Sequence, residues 1–395
     1  MSSPLKPPFR AEHVGSLIRP KVLYDTRLLL EQGKASTEDL HKAEDEAIKQ
    51  VIKMQHDLGY KGVTDGEMRR AQFFDGVFEN LEGLVFIPER PLSEYKKYLP
   101  HIVNFLQVGV PSYPSWHCNG KIKRRKPFYV DDFNHNKTLV APEDVKYIKV
   151  NMPSPTWIHQ RHGSDWTYDL NVYKNDDEYF DDMAIAYREE IQELYNAGCR
   201  SIQLDDPTFT FFCHQPMLDA MRNEHGVDPD VLFETYLRAV NIVTQGRPSD
   251  LHLSVHMCRG NYRGMPFCDG PYSYIAERIF PRLDADTIYL EYDDMASTGN
   301  FEPLKFIPEN RTVVLGLVTT KSNKIETLQE LVKQVDEAAD AMVTSTRTKE
   351  MALNQICISP QCGFSAVWQG NPLTEEDQYK KLAVLAEAAK TIWKD

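Results

Sequence analysis

Short apolar runs alternate with helical stretches along most of this chain, and this alternation limits the possible folds more than any other feature. Eight runs bounded by Gly, Pro, Asp or Ser are candidate strands, at residues 10–16, 62–65, 147–152, 201–205, 251–256, 287–291, 312–317 and 355–359. Stretches with helical periodicity lie between most of them, at residues 37–58, 176–197, 229–244, 272–283, 324–345 and 375–393. Because strands that alternate with helices pair in parallel, eight such units predict an α/β fold, a closed (β/α)8 TIM barrel.

One connection, residues 86–146, is far longer than a usual loop and carries Pro, Tyr and Lys/Arg clusters without a clear period. We interpret it as an insertion over the C-terminal mouth of the barrel. The sequence shows neither an internal repeat nor a linker rich in Gly or Ser. We therefore expect a single domain over residues 1–395.

Composition narrows the range of partners. The net charge of −13 disfavours binding to nucleic acid and to anionic membranes. No apolar run approaches the roughly 20 residues that span a bilayer, and the polar start lacks a secretory signal, so a cytoplasmic location is expected. The seven cysteines are scattered and odd in number, which favours free thiols or metal-bound thiolates over disulfides.

Metal-binding residue types follow three of the predicted strands. His256 and Cys258 lie two residues apart, so the period of a strand puts them on one face. Glu291 ends the next strand, and Cys362 follows the last one, just before Gly363, whose conformational freedom would let the loop fold back over the mouth. A set of one nitrogen, one oxygen and two sulfur ligands suits tetrahedral Zn²⁺.

Two other interpretations of this pattern remain open. A lone His-x-Cys on a strand is more often a hydrogen-bonded histidine beside a buried thiol, and Cys268 competes as the third ligand. The remaining cysteines are expected to be ordinary small apolar side chains: Cys118, Cys199, Cys213 and Cys357.

A second polar group follows the first, second and fourth predicted strands. Glu67 and Asp205 could hold an ammonium group between two carboxylates. Ser16, with neighbouring backbone N–H groups, could bind a carboxylate. Asp65 and Asp206 have the simpler interpretation of turn caps. Together these residues predict an amino-acid site.

Taken together, these motifs resemble the catalytic barrel of cobalamin-independent methionine synthase. The segments HVGS, TDGEMRRAQFFDGVFENLEGL, IQLDDP, VHMC, YLEYDD and SPQCG are similar to that family's motifs in order and spacing, from about residue 10 to the C-terminus except residues 86–146. The resemblance implies transfer of a methyl group from 5-methyltetrahydrofolate, mono- or polyglutamate, to homocysteine. It also implies zinc ligands at His256, Cys258, Glu291 and Cys362, and substrate contacts from Ser16, Glu67 and Asp205.

The chain departs from the family in ways that affect the methyl donor. It is long enough for only one barrel, as in short single-barrel relatives, and Lys321 stands where the family carries a proton-transferring histidine. Because the leaving amine of the donor must be protonated, Lys321, Asp206 and His159 are candidate general acids. Trp157 and Trp116 are candidates for an aromatic face that would contact the donor.

Two alternative functions follow from the same residues. A zinc-bound thiolate could attack another electrophile, such as a non-folate methyl donor or an epoxide, as in the similar epoxyalkane–coenzyme M transferases. The chain could also be a barrel that binds zinc or a thiol without catalysis. The basic run at residues 121–126 is expected to be a solvated loop, with contact to a polyglutamate tail as the alternative.

Overall fold

The computed structural model describes residues 9–107 and 109–394. Its strands form two sheets. Strands β1 (Leu81–Pro91) and β2 (Ser112–Arg124) form an antiparallel hairpin. The larger sheet has six parallel strands in sequence order: β3 (Lys149–Pro153), β4 (Ser201–Asp205), β5 (His252–Met257), β6 (Thr287–Glu291), β7 (Thr312–Val318) and β8 (Ile356–Pro360).

Helices alternate with the parallel strands, as the sequence predicts. The α-helices are α1 (Lys21–Glu31), α2 (Thr37–Asp57), α3 (Pro100–Gln107), α4 (Val130–Asn136), α5 (Trp157–Thr167), α6 (Asp176–Ala197), α7 (Thr208–Phe211), α8 (Gln215–Asn223), α9 (Pro229–Thr244), α10 (Ala276–Ile279), α11 (Met295–Thr298), α12 (Leu328–Ala341), α13 (Lys349–Gln355) and α14 (Glu375–Trp393). Short 3₁₀ helices span Phe78–Asn80, Leu92–Glu94, Lys137–Leu139, Pro142–Tyr147, Tyr272–Tyr274 and Glu302–Phe306. This arrangement confirms the α/β class.

The parallel strands are almost wholly buried, because helices cover the sheet and leave little of it to water. Most of the apolar side chains of these strands belong to one large buried cluster. Within the described part of the chain, no helix combines the length and apolar character needed to cross a membrane.

The first two predicted strands are not formed as strands. The segment at 10–16 makes a single parallel bridge from Ala11 to β8, and the segment at 62–65 makes one from Val63 to Ile148, just before β3. Gly15 has φ of +146°, and a Cβ there would lie 2.5 Å from the Asn151 amide, so the chain leaves the extended path beside β3. The prediction of eight full strands was therefore wrong for these two segments.

The long connection at 86–146 is more regular than the sequence predicts. The hairpin begins at Leu81, before the expected boundary, and α3 lies between its two strands. Register shifts between Glu82 and Leu84 and between Ile87 and Arg90 interrupt the alternation of side chains. A pattern broken in this way has no clear two-residue period.

Candidate active site

Four predicted ligand residues meet where the parallel strands end. His256 lies on β5 and Cys258 directly follows that strand, while Glu291 ends β6 and Cys362 follows β8. One ligand atom from each of the four lies within 4.8 Å of the others, and all four side chains are buried. Neither ring nitrogen of His256 has a hydrogen-bond partner among the described residues. This buried N/O/S₂ set could hold a metal ion and fits the ligand preferences of Zn²⁺.

Backbone and side-chain contacts fix the loops that carry these ligands. The Arg259 N–H donates to Glu291 Oε1 at 3.0 Å. The Asn261 amide donates to the Gly363 carbonyl at 3.0 Å, which joins the loop after β5 to the loop after β8. At Gly363 a Cβ would lie 2.0 Å from Ser16 Oγ. Glycine is therefore needed for close approach of the loop to Ser16.

The electrostatic environment disfavours the charged forms of His256, Glu291 and Cys258 when no cation is bound. Burial and the positive charge of Lys149 lower the pKa of His256 to about 3. Burial and the negative charge of Asp293 raise the pKa of Glu291 to about 7. A hydrogen bond with Cys362, followed by burial, raises the pKa of the Cys258 thiol well above its usual value. A divalent cation would favour the opposite protonation states of the acidic groups and displace their protons.

The cysteines outside this group are not ligands in this arrangement. The Cys268 thiol lies 3.7 Å from Thr210 Oγ1 and 3.7 Å from the Arg259 carbonyl oxygen instead of joining the four residues. All seven cysteines are buried free thiols, as expected from their spacing.

A cavity of about 760 Å³, including its open mouth, is lined by residues of the candidate metal-binding group, which we define as His256, Cys258, Glu291 and Cys362. Ser16, Glu67 and Asp205 line it together with His256 and Cys258, so the predicted substrate residues and the predicted ligands share one site. The loop bearing Ser16 is held in place by the Thr64 hydroxyl, which donates to the Gly15 carbonyl at 2.7 Å.

The two carboxylates in this cavity differ in their partners. Asp205 accepts hydrogen bonds from Gln203 Nε2 at 2.7 Å and Asn151 Nδ2 at 3.1 Å. Glu67 Oε1 lies 3.6 Å from an Arg70 nitrogen, whereas its buried Oε2 has no hydrogen-bond partner in the part of the chain that the structure describes. Glu67 also has φ of +58°, a conformation that is costly outside glycine and concentrated at functional sites.

Burial raises the pKa of both carboxyl groups. Repulsion by Asp205 adds to the effect at Glu67, while Arg70 opposes it. At Asp205 the hydrogen bonds from Gln203 and Asn151 oppose the effect of burial. A pair of crowded carboxylates with an unpartnered oxygen suits a bound ammonium group, which would supply the missing charge and hydrogen bond.

The three candidate general acids occupy other places, none of them in the lining of this cavity. Lys321 forms an ion pair with Asp293 at 2.9 Å. Asp206 accepts hydrogen bonds from the backbone N–H groups of Thr208 at 2.7 Å and Phe209 at 3.0 Å. Asp206 therefore caps the first turn of α7, which agrees with the simpler of its two interpretations from the sequence.

His159 also has a complete set of partners. Its Nε2 lies 2.8 Å from Asp176 and its Nδ1 lies 3.0 Å from the Tyr236 hydroxyl. Asp65 likewise holds a turn, because its carboxylate accepts the backbone N–H of Glu67 at 2.8 Å.

A second cavity, of about 980 Å³ including the open space at its mouth, shares part of its wall with the first, and both predicted tryptophans line it. Trp157 lines both cavities, and its ring contacts Phe73 and Phe74, with ring centroids 4.9 Å and 5.7 Å away. Trp116 lies on β2 and packs against the half-exposed Phe86 at 5.0 Å. We call this space the aromatic cavity.

The 86–146 segment contributes directly to both cavities. His101 and Phe105 of α3 line the cavity beside the ligands, and Tyr113 of β2 lines both. The basic run at 121–126 points elsewhere: Lys121 lies 3.5 Å from Asp182, and Arg124 pairs with Glu190 of α6. The segment thus lies over the site, whereas its basic run contacts α6.

Sequence reasoning missed several residues of the site. Asn151 and Gln203 are polar residues within buried strands, a signal that could have identified them as partners of Asp205. Arg161 of α5 lines both cavities and carries no comparable sequence signal.

The fold and the site define an α/β protein with a buried His/Cys/Glu/Cys group at the carboxyl ends of its parallel strands. The family model of the cobalamin-independent synthase catalytic domain matches residues 168–390. The uncharacterized protein YxjG of Bacillus subtilis (strain 168) is 33% identical over 392 residues, which cover 98% of this chain and 96% of that protein. A methionine synthase of Saccharolobus solfataricus is 24% identical, over 96% of this chain and 93% of its own length.

Solved structures agree with these matches. A putative vitamin-B12 independent methionine synthase from Listeria monocytogenes has a TM-score of 0.72 and 27% identity, over 99% of both chains. A B12-independent methionine synthase from Shewanella sp. W3-18-1, solved with selenomethionine, has a TM-score of 0.68 and 20% identity over 98% of both chains. The chain belongs to the cobalamin-independent methionine synthase family.

Proposed function

We propose that this chain is a zinc-dependent methyltransferase that forms methionine from homocysteine, with 5-methyltetrahydrofolate as the methyl donor. The observation that carries the proposal is the position of the metal-binding group in the wall of a cavity that also holds two carboxylates. A small molecule with both a thiol and an amino group could bind here, with its thiol at the metal-binding group and its amino group at the two carboxylates.

His256, Cys258, Glu291 and Cys362 would hold the zinc ion, which supplies one chemical function: it keeps a bound thiol in its nucleophilic thiolate form at neutral pH. Two thiolates and a carboxylate more than balance the charge of Zn²⁺, so the substrate sulfur retains electron density for attack. The site would thus activate a sulfur nucleophile instead of water.

Glu67 and Asp205 would bind the ammonium group of homocysteine, and Ser16 would contact its carboxylate. These contacts fix the amino-acid end of the substrate and direct its sulfur toward the metal-binding group. An ammonium group would also stabilise the ionised forms of both carboxylates, whose pKa values are raised by burial.

The aromatic cavity would hold the methyl donor, with Trp116 and Trp157 against its flat ring. Homocysteine loses its thiol proton when it binds as a thiolate, and the amine that leaves the donor gains one proton, so the transfer is balanced by exchange with water at the open mouth of the cavity. We assign no protonating role to Lys321 or Asp206, because Lys321 is paired with Asp293 and Asp206 caps α7. The Shewanella relative bound to selenomethionine supports a methionine-like ligand in this fold.

The two carboxylates argue against the alternative of a sulfonate thiol, because they would repel that anion. A protein that only stores zinc would also have no need for these two carboxylates.

The test is to measure zinc in the purified protein and then methionine formation from homocysteine with mono- and triglutamyl 5-methyltetrahydrofolate. We expect about one zinc per chain and turnover that a chelator abolishes. Zinc without turnover would refute the folate donor and leave other alkyl donors to be tried. Turnover that is unchanged after verified removal of zinc would refute the metal's role.

A further inference from the structure

Arg161 of α5 is a buried cation in the wall shared by the two cavities. Its side chain is 7% exposed and lines both spaces. The guanidinium carbon lies 4.1 Å from the centroid of the Trp157 ring and 5.5 Å from that of Tyr113. Two aromatic faces therefore hold the cation in the wall that the two cavities share.

Among the described residues, the Arg161 guanidinium has no carboxylate partner, and its buried Nε has no hydrogen-bond partner. Other buried arginines differ: Arg19 donates to the Leu17 and Glu67 carbonyls, and Arg90 pairs with Glu94 at 2.9 Å. Arg259 is also without side-chain hydrogen bonds, but it lines neither cavity.

A guanidinium buried without an anion is costly, because it loses hydration that aromatic contacts only partly replace. Its planar set of donors matches carboxylate, phosphate and carbonyl oxygens. The open side of Arg161 faces the cavities, so the missing oxygen can come from a ligand bound there.

We propose that Arg161 binds an anionic or carbonyl oxygen of the methyl donor and thereby selects neutral or anionic ring compounds over cationic donors. This inference rests on the proposed function, in which the donor occupies the aromatic cavity. It identifies Arg161 as a specificity residue for the second substrate.

Exclusion of cationic donors follows from the same contacts. A sulfonium or quaternary ammonium donor would bind best over an aromatic face. Arg161 already covers Trp157 and lies near Tyr113, so it occupies those faces and adds repulsion between like charges. Asp75 and Glu79 also line the aromatic cavity, but their carboxylates accept backbone N–H groups from Ala71, Gln72 and Gly76.

The test compares Arg161→Met and Arg161→Lys with the wild type, and uses Arg238→Met as a control on α9, where Arg238 pairs with Asp177 and Asp181. Four quantities are measured: zinc content, Tm, the Kd of homocysteine and the Kd of 5-methyltetrahydrofolate. We expect Arg161→Met to weaken donor binding about 10-fold or more, with partial recovery in Arg161→Lys. Zinc content and homocysteine affinity should not change, and Tm should not fall, because no ion pair is lost.

Two fragments of the donor identify the oxygen. A tetrahydropterin without a tail carries the ring carbonyl, and p-aminobenzoylglutamate carries the tail carboxylates. The fragment whose affinity falls in Arg161→Met contains the oxygen that Arg161 binds. Unchanged donor affinity in Arg161→Met, loss of homocysteine affinity instead, or tighter wild-type binding of S-adenosylmethionine than of 5-methyltetrahydrofolate would each overturn the proposal.

Failure of the proposed function gives a different result, namely a wild type that lacks zinc or does not bind homocysteine. If zinc and homocysteine bind but the folate does not, sodium phosphate replaces the folate as the probe. Phosphate should then raise the Tm of the wild type, relative to sodium chloride at equal ionic strength, and should not do so in Arg161→Met. Equal responses of the two proteins would refute a role of Arg161 in anion binding.

Discussion

Replacement of Glu67 by Gln should separate substrate binding from metal binding. Glu67 is 3% exposed, and its Oε2 has no hydrogen-bond partner within residues 9–107 and 109–394, so an ammonium group bound there would form a buried charge-assisted hydrogen bond. Such bonds contribute about 1.5–3 kcal/mol, which corresponds to roughly 10- to 150-fold in affinity. We therefore expect Glu67→Gln to raise the Kd of homocysteine by about that factor.

The same variant should retain its zinc, because Glu67 is not among the four ligand residues. Homocysteine affinity is measured by calorimetry and zinc content by elemental analysis on the same samples. Glu189→Gln, an exposed glutamate on α6, is the matched control and should leave both quantities unchanged. An unchanged Kd in Glu67→Gln would refute the ammonium site, and loss of zinc would show that the two sites are not separate.

Three further predictions follow from the site. First, His256→Ala and Cys362→Ser should each weaken zinc binding by about 10-fold or more, whereas Cys268→Ser should not; the opposite pattern of zinc contents would overturn the ligand assignment. Second, burial raises the folded-state pKa of Glu67 above its unfolded value of about 4.3. Between the unfolded and the folded pKa, the folded protein therefore binds more protons than the unfolded chain, and it loses stability as the pH rises through that window. Without ligand, the Tm of Glu67→Gln should therefore exceed that of the wild type increasingly from pH 5 to pH 8, and a constant difference would contradict this linkage. Third, Trp116→Ala should raise the KM of the methyl donor by roughly 5- to 150-fold, because the lost ring stacking is equivalent to about 1–3 kcal/mol. The KM of homocysteine should stay constant. Equal effects on both KM values would place Trp116 outside the donor site.

Three helices with clear capping signals, α6, α9 and α14, were predicted from the sequence at their observed bounds, whereas α12 is shorter than its predicted range of 324–345. Before α6 the Asn175 side chain accepts the Glu178 N–H, and before α14 Thr374 and Asp377 form a capping box. Helix α9 begins with Pro229 after a capping aspartate. These signals depend on residues within one turn, so the sequence is sufficient to predict them.

Elements that depend on tertiary contacts were predicted less well. The run at 272–283 reads as one amphipathic helix, but the structure divides it into a 3₁₀ turn and α10. The Tyr272 hydroxyl donates to the Met257 carbonyl at 3.3 Å and accepts the Glu291 N–H at 2.9 Å, so it is fixed by β5 and β6. Contacts between distant residues thus override the local period.

The same distinction applies to the site. The sequence was sufficient to predict that His256, Cys258, Glu291 and Cys362 lie together, because the carboxyl ends of parallel strands lie at one edge of the sheet; their role as ligands stays a prediction. The aromatic cavity could not be derived in this way, since it forms where the hairpin packs on α5. Arg161 could not be derived either, because only the structure shows that, among the described residues, no carboxylate pairs with it.

In the proposed mechanism, the substrate sulfur binds to zinc held by His256, Cys258, Glu291 and Cys362. X-ray absorption at the zinc edge, with and without selenohomocysteine, detects this bond. We predict one nitrogen, one oxygen and two sulfur neighbours before addition, and a new zinc–selenium scattering path afterwards. A zinc environment without selenium, in a sample shown to bind selenohomocysteine, would contradict the account.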